Sequence, residues 1–344
     1  MATLRDISRR LGLSVTQVSR ALNGHDDVNA ETRNRVITVA REMNYFPNIS
    51  ARKLASGRSG IVGLVLEDGD AGPSDAVFVQ MIKGLSRCFS ERGMQFVLHM
   101  ANSGEDAVKV HERLIKGGSL DGFVVIEPQA KDARIDYLQR QGIPFVLHGR
   151  HRTAPDYPFF DIDNYGVGYD LTRILAEAGH RRIVFFNGRL DRTYAAQRME
   201  GYRQALADFG CDAHANLHHT ARMTEAYGLI STIRLFEKIR NRPTAIICGN
   251  CLIAKGVVEA LAVLGLSVPG DVSVVAHDDD LSTTVLAPFP SPLTVTHAPL
   301  SQSWPQLAEL LIGRIDGKPI EALQRVGDTI LVRRKSIAPP ANAV

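Results

Sequence analysis

The chain has 344 residues, of which 44% are hydrophobic and 22% charged, which excludes a disordered or collagen-like chain and allows two or three domains. It contains no run of 18 apolar residues that would span a membrane, and four cysteines are too few for a disulfide framework. The net charge of +3 is unevenly spread: residues 1–60 carry ten Lys or Arg against five Asp or Glu, a net +5 that leaves −2 for the rest. A small basic head on a mildly acidic body is the footprint of nucleic-acid binding, although a solvated charged face has the same composition. Residues 1–10 hold three arginines with no apolar stretch behind them, so no secretory signal is expected. A cytoplasmic location with reduced thiols is the expectation instead.

Three short helices are predicted in the head. Thr3 caps the first, Leu4, Ile7 and Leu11 share one of its faces, and Gly12 ends it. Ser14, with Gln17 three residues on, is a capping box that opens the second helix, which stops at Asn23 and Gly24. Asn29 opens the third, striped by Val36, Val39, Ala40 and Met43. The tight turn between the first two makes a helix-turn-helix. On the second helix Val18 and Leu22 face a core. Thr16 and Arg20, with Gln17 beside them, face outward, and Val15 lies in the first turn, which does the reading in a major groove. Pro47 breaks the third helix, Asn48 caps a further one at 49–56, and Gly57 ends it. Eight residues are too few for a helix stable by itself. Leu54 stands there among basic residues, as a minor-groove wedge requires; a plain linker is the competing reading.

Beyond residue 60, apolar runs at 61–66, 95–99, 122–127 and 144–148 alternate with helical stretches from about Val77, Glu105 and Asp132. A second series follows, with runs at 182–187, 244–248 and 272–276 and helices near 165–178, 195–209 and 253–264. The pattern predicts two doubly wound α/β lobes with parallel sheets and a ligand cleft outside the carboxyl ends of the strands.

Other chemistry is less well supported. Cys248 and Cys251 form a C-x-x-C at a strand-to-helix junction, the setting of a redox pair, but two structural thiols are the better reading. His214, His218 and His219 are too few for a zinc site, and no metal or cofactor is implied. The chain has neither a phosphate-binding glycine loop nor a G-x-S-x-G elbow, so an enzyme is not expected.

The strings TLRDIS (3–8), SVTQVSRALN (14–23), VNAETR (28–33), NYFPN (44–48) and ARKL (51–54) together resemble the head of the lactose-repressor (LacI/GalR) family. The resemblance continues through IPFVLHGR (143–150), DN (163–164), GHRRI (179–183), RMEGY (198–202), LSVPGDVSVV (266–275) and SPLT (291–294). It implies a cytoplasmic homodimeric transcription regulator, in its expected form a repressor, on a pseudo-palindromic double-stranded operator. Residues 1–47 would be the all-α DNA-binding domain and 48–59 a hinge helix that folds on DNA. Residues 60–344 would be a two-lobed sensing and dimerisation core like the periplasmic sugar-binding proteins. Val15, Thr16 and Arg20 become base readers, with Gln17 and Asn23 on the same interface and Leu54 the wedge. Arg198, Asn250 and Asp278 match ligand positions, and Phe78 and Tyr194 suit stacking on a sugar. Two departures border the cleft: Gly149 and Arg150, with His148 before them, stand where an acid followed by arginine is usual, and Cys251 replaces an aspartate. The implied effector is a small carbohydrate, with a purine or nucleoside as runner-up; whether it induces or corepresses stays open.

Overall fold

The computed structural model describes residues 2–22, 27–45, 58–67, 75–102, 104–117, 120–151, 153–214, 217–238, 242–281 and 289–340. They divide into two compact units, Met1–Ser59 and Gly60–Val344.

Local capping sets the helices of the first unit. Thr3 Oγ1 accepts the Asp6 N–H, and the Asp6 carboxylate accepts the Thr3 N–H at 2.8 Å, which opens α1 (Leu4–Leu11). Gly12 ends it at φ 66°, a left-handed turn that suits glycine. The Ser14 N–H donates to Gln17 Oε1 at 3.0 Å and the Gln17 N–H to Ser14 Oγ at 3.1 Å, opening α2 (Val15–Leu22). Asn29 Oδ1 accepts the Thr32 N–H at 2.7 Å before α3 (Ala30–Glu42). Ile7, Val18, Ala21, Val36 and Ala40 form the core between the three helices. Asn23, Leu54 and the helix expected at 49–56 lie outside the described residues.

The second unit contains two lobes. In lobe 1 the sheet runs β11-β5-β4-β3-β1-β2, where β1 is Ile61–Glu67, β2 Gln95–Ala101, β3 Gly122–Ile126, β4 Phe145–His148, β5 Phe159–Ile162 and β11 Gln324–Gly327. In lobe 2 it runs β12-β10-β9-β8-β6-β7, where β6 is Ile183–Asn187, β7 His218–Thr220, β8 Ala245–Cys248, β9 Ser273–Asp278, β10 Thr294–His297 and β12 Ile330–Val332. All pairings are parallel except β10 with β12. Helices α4 (Asp75–Glu91), α5 (Ala107–Lys116), α6 (Ala133–Arg140) and α11 (Ser303–Ile315) belong to lobe 1. Helices α7 (Asn164–Glu177), α8 (Thr193–Asp208), α9 (Glu225–Lys238) and α10 (Cys251–Val263) belong to lobe 2.

The inner strands are apolar on both faces because helices cover both. Val62, Leu64 and Leu66 of β1 share a core with Met81 and Leu85 of α4 and Leu307 of α11, while Val65 turns to Val110, Ile135 and Leu138 of α5 and α6. Val184 and Phe186 of β6 likewise oppose Ile183 and Phe185. Alternation between two buried sides produces the continuous apolar runs of the sequence.

The chain passes between the lobes three times, at 162–164, 297–300 and 327–330. These passages lie side by side: Gly327 pairs with Ile162 across β11 and β5, and Ile330 with His297 across β12 and β10.

Candidate ligand cleft and DNA-reading face

On α2, Val15 is 39% exposed, Thr16, Gln17 and Arg20 are exposed as well, and Val18 is fully buried. The predicted reading residues therefore share the solvent face. Two of them already have partners within the head. The Gln17 amide oxygen is engaged by the cap of its own helix, and the Arg20 guanidinium pairs with Asp27 Oδ2 at 2.6 Å. The sequence reading did not include Asp27.

A cavity of about 170 Å³ opens between the lobes at the carboxyl ends of the strands. Arg198 on α8 is 5% exposed; its Nε donates to Asn164 Oδ1 at 2.9 Å and its Nη1 to the Gly249 carbonyl at 2.6 Å. Its helix is seated by close backbone approach: a Cβ on Gly168 of α7 would lie 2.0 Å from the Arg198 carbonyl oxygen. The Tyr194 ring lies 5.4 Å from the Arg198 guanidinium, and burial pushes its phenol well above the ordinary range. Asn250, 1% exposed, caps α10 by accepting the Ile253 N–H at 3.0 Å; its amide Nδ2 is buried with no hydrogen-bond partner among the described residues. His148 lines the cleft at the end of β4, and burial lowers its imidazole to about 4 against the pull of Asp279.

Arg198, Asn250, Tyr194 and His148 are thus brought together at one cavity, but three other expected ligand residues are not. Asp278 points away from it: its carboxylate meets His297 Nδ1 at 3.3 Å and the Cys251 thiol at 3.7 Å. Its neighbour Asp279 lines the cavity instead, paired with His277 Nε2 at 3.1 Å. Alternate residues of an extended chain share a side, so 277 and 279 line the cleft and 278 does not. Arg150 sits behind the wall, with its Nε donating to Asp161 Oδ2 at 2.8 Å, so that Asp161 rather than Arg150 reaches the cavity. Burial pushes the Asp161 carboxyl up, against the opposing effect of Arg150. Phe78 packs into the lobe 1 core, while Val77 and Met81, one helical turn apart on α4, face the cleft.

Residues the sequence did not single out complete the site. Glu127, just after β3, is in a left-handed conformation, φ 49°, and meets Arg192 Nε of the other lobe at 3.9 Å. The Thr193 N–H donates to the Pro128 carbonyl at 3.0 Å, a second contact between lobes, and Gln80 Nε2 donates to the Asp280 carbonyl at 3.3 Å, a third. All three passages between the lobes contribute to the cavity lining.

Cys248 and Cys251 are buried and unbridged. Burial raises both thiols far above their ordinary range, the reverse of what a reactive thiolate needs. Among the described residues no cluster of three or more His, Cys, Asp or Glu could hold a metal ion.

A helix-turn-helix head joined to a two-lobed, cleft-bearing unit defines a DNA-binding transcription regulator. Residues 3–48 match the family model described as bacterial regulatory proteins, lacI family, and residues 172–337 match a periplasmic binding protein-like domain. The transcriptional regulator AglR of Rhizobium meliloti is 38% identical over 98% of this chain and 94% of its own. The transcriptional repressor PurR of Klebsiella pneumoniae subsp. pneumoniae is 28% identical over 98% of this chain and 97% of its own. Among solved structures, the complex of the regulator CelR with cellobiose is 28% identical, covers 98% of this chain and 100% of that one, and superposes with a TM-score of 0.69. The chain belongs to the LacI family of bacterial transcriptional regulators.

Proposed function

We propose that the protein is a homodimeric repressor whose affinity for a pseudo-palindromic operator is set by a sugar held between the lobes. The observation that carries the sugar reading is the unpartnered Asn250 amide, buried beside Arg198 and Asp279 in the cavity lining. A buried donor without an acceptor is costly, and a ligand with many hydroxyls supplies the acceptor while using the guanidinium and carboxylate around it. The CelR–cellobiose structure supports the same ligand class.

A purine is the second reading, favoured by the likeness to PurR. A flat base calls for two parallel rings to lie between. His148, Phe160, Tyr194 and Trp304 line this cavity, and the one close ring pair among them, His148 with Trp304, meets edge-on, with centroids 5.7 Å apart and planes at 62°. This arrangement favours the sugar.

The mechanism is linkage. A ligand that prefers one lobe arrangement shifts the population toward it and so changes how the short segment after the head is presented to DNA. A coupling of a few kcal/mol is enough to shift such an equilibrium several-fold.

The test is thermal melting of the full-length protein with glucose, maltose, cellobiose, adenine, guanine and hypoxanthine. A ligand at a hundred times its Kd adds about 2.7 kcal/mol, a clear rise in Tm. Any hit is then added to fluorescence-anisotropy titrations of a duplex selected by this protein from a random pool. A rise with nucleobases alone discards the sugar reading, and an operator affinity unmoved by a bound ligand discards ligand control.

A further inference from the structure

Trp304 is the only tryptophan in the chain, and it lies in the first turn of α11, just beyond the second passage between the lobes. It is 3% exposed and lines the cavity from the lobe 1 side. The ring lies directly on the backbone of α4: a Cβ on Gly84 would be 2.0 Å from indole Cδ1 and 2.6 Å from Nε1. His148 meets the ring edge-on from β4. The indole Nε1 is buried with no hydrogen-bond partner among the described residues. A buried tryptophan usually satisfies its N–H, so this ring is held by shape rather than by its polar handle.

We propose that Trp304 is a specificity-determining residue for the ligand, forming with His148 an apolar platform for one C–H face of a sugar ring. This inference rests on the sugar reading above. A pyranose has a polar rim and apolar faces. Arg198, Asn250 and Asp279 offer the rim its partners, and Val77 and Met81 extend the apolar side next to the indole. The lowered imidazole of His148 keeps this wall uncharged at neutral pH. Gly84 is the positioning residue, because any side chain there displaces the ring.

The experiment titrates the full-length protein with cellobiose, maltose and glucose, reading heat and tryptophan emission on the same samples. Since Trp304 is the sole tryptophan, the emission reports this residue alone. The expected result is an emission change with the same midpoint as the heat. Trp304→Leu should weaken the preferred sugar about tenfold or more, as truncation of a buried aromatic anchor does. Gly84→Ala should weaken it in the same direction, with the fold checked by circular dichroism. The emission readout needs no substitution and so stands even if a variant fails to fold. Heat of binding without any emission change, or Trp304→Leu within about twofold of the native affinity, overturns the platform and leaves the sugar reading intact. No heat from any sugar overturns the sugar reading, and the platform with it.

Discussion

Position by position, the two lobes repeat one strand order: β11-β5-β4-β3-β1-β2 in one and β12-β10-β9-β8-β6-β7 in the other. The difference between the sheets is at the outermost pairing, parallel for β11 and antiparallel for β12. Their walls are nevertheless unlike. Among the described lining residues, lobe 2 brings Arg189, Arg192, Arg198 and Arg222 with the amides of Asn164 and Asn250 and the His277–Asp279 pair. Lobe 1 brings Val77, Met81, Ile126, Phe160 and Trp304, with its charge limited to Glu127 and Asp161. One architecture thus places the pocket twice over, and the side chains at the strand ends decide what each wall recognises.

The contrast is broken most severely at Arg198. Arg198→Lys keeps the charge but loses the planar fork that spans Asn164 and Gly249. Ligand affinity should fall about a hundredfold, since hydrogen bonds to charged groups contribute roughly 1.5–3 kcal/mol each. Calorimetry showing native affinity would move recognition away from the lobe 2 wall.

Asn250→Asp sharpens the contrast, because it separates two roles of one residue. Aspartate still caps α10, so the melting temperature should hold, whereas the unpaired donor becomes an acceptor. Sugar affinity should drop about tenfold, the equivalent of one hydrogen bond. A variant that melts lower yet binds normally would assign Asn250 to the cap alone.

His148→Asn has the smallest expected effect and reads out through pH. Burial lowers His148 to about 4, and His277, His111 and His180 are lowered for the same reason. A base that resists protonation when folded contributes its full stability above its ordinary value of about 6.5. That stability is lost as pH falls below 6.5, because the unfolded chain takes up the proton first. Each such histidine steepens the loss by about 1.4 kcal/mol per pH unit while it stays neutral in the fold. Melting between pH 7.5 and 5 should therefore show a shallower acid slope in His148→Asn; an unchanged slope would mean that His148 titrates normally.

Legibility in the sequence followed the range of the forces involved. Thr3, Ser14 with Gln17, and Asn29 act on neighbours three residues away, so the head's helices could be placed from the string alone. Inner strands such as Ile61–Glu67 were readable as apolar runs. β7 with sequence HHT and β11 with QRVG carry no such signal, because they are short sheet-edge strands with few buried residues. Helices α9 and α11 were also missed, the latter carrying Pro305 beside Trp304 in its first turn. Arg198 and Asn250 are marked in the sequence by the motifs around them, whereas Asp161, Glu127 and Trp304 come to the same cavity only because distant segments converge. The motif points to Asp278, whereas its neighbour Asp279 lines the cavity, since a shift of one residue along an extended chain turns the side chain to the other face.

The three side-by-side passages between the lobes have a mechanical consequence. Two rigid bodies have six relative degrees of freedom, and three short adjacent tethers suppress sliding and twisting far more than swinging. What such tethers would leave is largely one angle, about the line through residues 162–164, 297–300 and 327–330, which pair side by side. Those segments also border the cavity, so a ligand held there as proposed would sit close to that line. It would have little leverage there, and its signal would be a choice of angle, read out over the length of each lobe.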